Sequence, residues 1–281
     1  MSVAISGMLL CCIILRGVAF SITQQNKITQ KQIETKLADL EPPLAFKYLE
    51  NIKDNCEIDI SKLLEKYAKK LKAHEAEKER FEKISAFEHL AYESGIKFIA
   101  GIDEAGRGPL AGPVVAAAVI LPQNVFIEKL NDSKKLSPKV REKLYTEIHK
   151  KAISYGIGII DENLIDKINI LNATKLAMKK AIEVLSVIPD MLFIDALTLN
   201  DVNIKQKAIE KGDSLSISIA AASILAKVTR DRIIEEMDEI YPVYGFAKHK
   251  GYGTKEHIEA IKKYGPCPIH RKTFIRNFIT M

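Results

Sequence analysis

Asp103 and Glu104 stand side by side just before the turn Gly106-Arg107-Gly108. Two further acids hold comparable positions: Asp195 closes a short apolar run, and Asp213 precedes a long helical stretch. Carboxylates gathered with no cysteine or zinc-like histidine partners are oxygen ligands for a hard cation, Mg²⁺ or Mn²⁺. Such a site suits phosphoryl chemistry, in which two ions roughly 3.5–4 Å apart activate a water and stabilise the leaving oxygen. Each acid alone also has an ordinary reading, as a turn residue or an N-cap. The coincidence of all four with a glycine-arginine-glycine turn is what points to chemistry.

These acids need strand ends to hold them. Residues 97–101 and 114–121 are apolar runs that predict two buried strands, joined by the Gly/Pro-rich link that contains the turn. Alternation along a strand sends Asp103 and Glu104 to opposite faces. Both serve one site only if the strand ends or bends at Asp103, or if Glu104 reaches the site from its edge. Ser137 before Pro138 predicts a helix start, with the helix running to about Ala152. A strand over 153–160, a turn or short helix over 163–168, a helix over 173–185 and a strand over 191–194 ending in Asp195 follow. Lys211-Gly212-Asp213-Ser214 leads into a helix over 215–237. Its small residues Ala220, Ala221, Ala222 and Ser223 let another backbone, of protein or nucleic acid, come close, and Lys227, Arg230, Asp231 and Arg232 form its polar side. A stretch rich in glycine and aromatics and a last helix over 254–263 complete the pattern. Strands alternating with helices predict an α/β domain whose central sheet is mixed, because the first two strands follow one another closely.

At 281 residues and 31.4 kDa, with 47% hydrophobic and 28% charged residues, the chain is composed like a globular protein and not like a disordered one. Residues 247–281 hold eight Lys or Arg against two Glu, which accounts for the whole net charge of +6. A basic tail interleaved with Tyr252, Tyr264, Phe274 and Phe278 suits contact with a polyanion. Cys11, Cys12, Cys56 and Cys267 have no zinc-site spacing, and a reducing compartment is expected. Residues 1–22 form an apolar leader carrying one charge, Arg16. The basic opening of a secretory signal is missing, and the uncharged run over 3–15 is short for a membrane span of about 20 residues. Residues 23–94 are expected to form a charged helical extension, in which Ile28, Ile33, Leu37 and Leu40 share one face before Pro42-Pro43 stops the first helix. Its charge is expected to be a solvated face. Residues 95–281 are left as the domain that carries the chemistry.

Six segments occur in an order that resembles the bacterial ribonuclease HII family, over about residues 97–274. They are 101–113, Asp132-Ser133-Lys134-Lys135-Leu136, Ile194-Asp195-Ala196, Lys211-Gly212-Asp213, 221–231 and His249-Lys250-Gly251-Tyr252-Gly253-Thr254. The resemblance implies an RNase H-like fold and a two-metal site for Mg²⁺ or Mn²⁺ made by Asp103, Glu104, Asp195 and Asp213. It implies hydrolysis of RNA paired with DNA, including cutting on the 5′ side of single ribonucleotides embedded in duplex DNA, with 3′-hydroxyl and 5′-phosphate products. It also implies that backbone groups of Gly106, Arg107 and Gly108 read the ribose 2′-hydroxyl, since glycine lets the backbone approach and the hydroxyl both donates and accepts. Tyr252 matches the tyrosine that stacks on the neighbouring deoxyribose in that family. Ser133, Lys134, Ser223 and Lys227 are candidate donors to backbone phosphates. The type III ribonucleases H resemble the chain less, because the glycine-arginine-glycine turn is altered in them. A cytoplasmic monomer with no membrane association is expected.

Overall fold

The computed structural model describes residues 29–56 and 58–277, so the apolar leader over 1–22 lies outside the described residues. The chain divides into two compact units after Glu75.

The first unit is helical. In α1 (Gln30–Ala38), Thr29 caps the start and its amide donates to the Gln32 side chain at 2.8 Å, a reciprocal capping box. Pro42-Pro43 does more than stop that helix: it opens α2 (Pro42–Ile52), where a proline in the first turn forfeits no hydrogen bond. The apolar faces of these helices and of the first part of α3 (Ser61–Ile84) meet in one small core, formed by Ile33, Leu37, Ala45, Leu49, Ile60, Leu63 and Tyr67.

The second unit starts earlier than residue 95. Phe81 of α3 is buried in its main core. Phe87 and Ala91 of α4 (Ala86–Glu93) pack in a further cluster with Ile99 and Phe193, Phe87 lying edge-on to the Phe193 ring. The residues from Ala76 onward therefore belong to the sheet domain, although their charge pattern groups them with the extension.

Five strands form one mixed sheet in the order β3-β2-β1-β4-β5: β1 (Ile99–Ala105), β2 (Val114–Ile120), β3 (Ser154–Ile160), β4 (Met191–Asp195) and β5 (Lys205–Ile209). β1 pairs antiparallel with β2 and parallel with β4. Every residue of β2 is buried, and its two faces serve two cores. Val115, Ala117 and Val119 pack with α5 (Pro138–Lys151) and α8 (Ile217–Ile240), whereas Val114, Ala116, Ala118 and Ile120 pack on the side of α6 (Glu162–Ile168) and α7 (Ile170–Glu183). The edge strand β5 has no counterpart in the sequence pattern, because Lys205 and Lys207 face solvent and leave little apolar signal.

The small residues of α8 are buried against the sheet, and the backbone they admit is that of β1. A Cβ built on Gly101 would lie 2.0 Å from the Ser218 carbonyl carbon. That approach seats the N-terminal half of α8 over the strand that carries Asp103 and Glu104. After α8 come α9 (Phe246–His249), α10 (Lys255–Tyr264), capped by Thr254, and α11 (Lys272–Ile275). Among the described residues no helix is long and apolar enough to cross a membrane.

Candidate active site

Asp103 and Glu104 lie within β1, which continues to Ala105. Their partners on β2 are Ala117 and Ala116, whereas the ladder to β4 stops at Ile102↔Ile194. The strand neither ends nor breaks at the acids; the neighbouring strand does. Past that last pair the Glu104 amide turns to the Asp103 carboxylate, donating to Oδ1 at 2.7 Å. Asp103 is buried and meets Ser223 of α8, whose hydroxyl lies 2.9 Å from that of Ser133. Asp195 ends β4, the parallel neighbour of β1, and its Oδ1 accepts the Gly212 amide at 2.8 Å. That bond fixes the single 3-10 turn Gly212–Ser214, which presents Asp213, buried, just ahead of α8.

The charges of these side chains act on one another. Burial, then Glu104 and Asp195, push the Asp103 carboxyl well above its ordinary range. Burial also raises Glu104, with Asp195 adding to it against the pull of Arg107 and Lys134. Asp213 is raised by burial and by Asp132 and Asp195. Against this negative charge stand two cations: Lys134 Nζ lies 3.5 Å from Asp213 Oδ2, and Arg107 Nη1 lies 3.3 Å from Glu104 Oε1. The second carboxylate oxygen of Glu104 is buried with no hydrogen-bond partner. Among the described residues no three His, Cys, Asp or Glu side chains are drawn tightly enough together to hold an ion as they stand, as expected of like charges that repel at short range.

The glycine-arginine-glycine turn follows β1 directly. Gly106 has φ of +97°, and a Cβ there would meet the Arg230 side chain at 2.1 Å. Tyr252 is half exposed beside the turn, its Cε1 3.8 Å from where a Gly108 Cβ would sit. The two loops are tied together by the Leu110 amide, which donates to the Gly251 carbonyl at 2.8 Å.

Of the remaining sequence candidates, Ser133, Lys134 and Ser223 adjoin the acids, whereas Lys227 pairs with Asp231 at 2.7 Å, one turn further along α8. Sequence reasoning passes over three residues here. Asp132 lies beside Asp213, and its Oδ1 accepts the Lys134 amide at 2.8 Å. Arg230 and Arg271, which belong by sequence to a polar helix face and to the basic tail, are buried.

A mixed sheet with acids at the ends of adjacent parallel strands, beside a helix that opens on another acid, defines a nuclease of the ribonuclease H class. The family model of ribonuclease HII matches residues 100–277. The chain is 61% identical over 254 residues to ribonuclease HII of Acetivibrio thermocellus, covering 90% of this chain and 99% of that one. It is 48% identical to ribonuclease HII of Bacillus subtilis, covering 89% and 97%. Among solved structures, ribonuclease H2 from Pyrococcus horikoshii superposes with a TM-score of 0.54 at 30% identity, covering 64% of this chain and 96% of that one. Ribonuclease HII of Archaeoglobus fulgidus, solved in a complex with PCNA, gives a TM-score of 0.53 at 25% identity, covering 65% and 97%. The chain belongs to the ribonuclease HII family and is an RNase H endonuclease.

Proposed function

We propose that this endonuclease is metal-dependent and hydrolyses the RNA strand of RNA/DNA hybrids. We infer further that it cuts 5′ of single ribonucleotides embedded in duplex DNA, leaving 3′-hydroxyl and 5′-phosphate ends. The observation that carries this reading is that two buried acids, Asp103 and Asp213, with the partly buried Glu104 and Asp195, lie beside a glycine turn and an exposed tyrosine. Recognition and cutting then belong to one surface.

Asp103, Glu104, Asp195 and Asp213 are the proposed ligands for Mg²⁺ or Mn²⁺. The donor set fits a hard divalent cation: it is all carboxylate oxygen, burial and mutual repulsion raise three of the four, and a buried Glu104 oxygen has no partner. Bound divalent ions supply an activated water and neutralise charge on the leaving oxygen. The chain's own groups do the rest. Ser223 and Ser133 hold Asp103 in place, and the Gly212 amide orients Asp195. Lys134 holds Asp213 and, being largely exposed, is a donor to a substrate phosphate. Backbone groups of Gly106, Arg107 and Gly108 read the 2′-hydroxyl, and Tyr252 stacks on the sugar that follows it. Lys227 has a softer part, since Asp231 already holds its ammonium.

Catalysis is assigned to the second unit, with residues 1–22 and the first helical unit as additions to it. The enzyme is proposed to act as a cytoplasmic monomer. Incubation with a duplex carrying one ribonucleotide, with Mg²⁺ or Mn²⁺ supplied, tests the reading: a nick on the 5′ side of the ribonucleotide supports it, and an intact duplex with both ions refutes it.

A further inference from the structure

Arg230 and Arg271 are 1% and 0% exposed, and their guanidinium hydrogen bonds run to main-chain carbonyls. Arg271 donates through Nε to Gly112 O at 2.9 Å, through Nη1 to Arg107 O at 3.0 Å and Pro109 O at 2.9 Å, and through Nη2 to Gly106 O at 2.6 Å. Its own amide donates to Leu110 O at 2.8 Å. Arg230 donates to Pro113 O and Ala111 O, each at 3.1 Å, and to Lys250 O at 3.0 Å, in the loop that carries Tyr252. Between residues 106 and 113 every carbonyl except that of Gly108 is thus held by Arg230 or Arg271.

The consequence follows from peptide geometry. In a trans peptide the carbonyl of one residue and the amide of the next lie in one plane and point opposite ways. With the carbonyls of Gly106 and Arg107 drawn toward Arg271, the amides of Arg107 and Gly108 face away from it, and among the described residues neither donates to a protein atom. Burying a guanidinium costs free energy, and burial together with Arg230 pushes Arg271 down to about 9. A planar fork of donors is what reaches several carbonyls at once; a lysine ammonium cannot span them.

We propose that Arg271, seated beside Arg230, is a positioning residue for ribose recognition, drawing the carbonyls of the turn inward so that the Arg107 and Gly108 amides stand ready as donors to a 2′-hydroxyl. This rests on the reading of residues 106–108 given above. The test uses the full chain with Mg²⁺, measuring kcat/KM on a single-ribonucleotide duplex and Kd for an all-DNA duplex of the same length. Arg271→Lys is expected to lower kcat/KM about ten- to a hundredfold, the scale on which small misplacements act, while the Kd for all-DNA duplex stays unchanged. Gly108→Ala serves as the second arm, because its methyl meets only the Tyr252 ring at 3.8 Å and requires no positive φ. Loss of selectivity in both variants supports the proposal. Loss in Gly108→Ala with unchanged kcat/KM in Arg271→Lys overturns the proposal and leaves the reading of the turn intact. No effect in Gly108→Ala overturns both. Should Arg271→Lys fail to fold, hydrogen exchange on the unaltered protein decides: the Arg107 and Gly108 amides are expected to exchange fast while those of Leu110 and Gly112 are protected, and slow exchange at Arg107 and Gly108 contradicts the proposal.

Discussion

Lys134 Nζ lies 3.5 Å from Asp213 Oδ2, and Asp103 and Asp132 add their charge to the same ammonium. Although burial works against it, the net effect raises the Lys134 pKa, so the group stays charged. One lysine therefore offsets part of the repulsion among several buried acids, and the rest remains as a local destabilisation.

That residual repulsion makes a stability prediction. Asp103→Asn keeps the size of the side chain and an oxygen to accept the Glu104 amide, but removes a charge that burial and Glu104 disfavour. In a chelating buffer the variant is expected to be more stable than the unaltered protein by about 1 kcal/mol, while losing cleavage. Urea denaturation measures it, and a lower midpoint at equal slope contradicts it.

Gly101 is the position where α8 touches β1. Because a methyl there would lie 2.0 Å from backbone carbon, and backbone does not yield as a side-chain tip does, Gly101→Ala is expected to cost about 3 kcal/mol or more. Thermal denaturation reports it. A melting temperature within a degree or two of the unaltered protein's (roughly 0.5 kcal/mol) would show that the helix can shift at little cost.

The sequence made the two first strands, β4 and α8 legible because continuous apolar runs and a stretch of small residues stand apart from the polar connections between them. It set Asp103, Glu104, Asp195 and Asp213 apart because acids at element ends stand out from their surroundings, and the fold puts Asp195 at the end of β4 and Asp213 just ahead of α8. Three things escaped it for physical reasons. β5 is an edge strand whose lysines face water. The unit boundary is hidden because Phe81 lies in a highly charged helix whose pattern does not change at Ala76. Arg230 and Arg271 look like surface cations, and only the fold shows their donors turned onto buried carbonyls.

Three buried histidines, His249, His257 and His270, secure the loop that carries Tyr252, each acting as one donor and one acceptor. His249 Nε2 bonds Tyr244 O while Nδ1 accepts the Gly251 amide; His257 Nδ1 bonds Tyr252 O while Nε2 meets His270 Nε2; His270 Nδ1 accepts the Cys267 amide. Only the neutral rings fit this pattern. Burial holds both His257 and His270 down to about 4, from an ordinary 6.5. The unfolded chain therefore takes up protons first, so stability is intact above pH 6.5 and falls as pH drops toward 4, by about 3 kcal/mol for each ring. Denaturation across that interval is expected to show a steeper loss than in a His257→Gln, His270→Gln double variant; equal slopes would rule the histidines out as its source.

Cutting the chain at the unit boundary separates two outcomes. A protein beginning at Ala76 keeps Phe81, Phe87 and Glu88, whose Oε1 lies 2.5 Å from the Ser216 and Ser218 hydroxyls at the start of α8. It is expected to fold and to cut. A protein beginning at Gly95 loses those contacts and is expected to be destabilised by several kcal/mol, since losing a buried Phe side chain such as Phe81 alone costs about 3–5 kcal/mol. Circular dichroism melts of the two fragments compare them, and equal stability would place the boundary after Glu93.

The claim that the four acids form the cutting site meets its most direct test in Asp213→Asn, assayed on a single-ribonucleotide duplex with Mg²⁺ or Mn²⁺. The unaltered protein should nick the duplex 5′ of the ribonucleotide and stop doing so when EDTA is added. The variant should bind the same duplex while its cleavage rate falls by a factor of about a hundred or more, the scale of removing one charge-stabilising group from an active site. Cleavage by the variant at the unaltered rate would contradict the assignment.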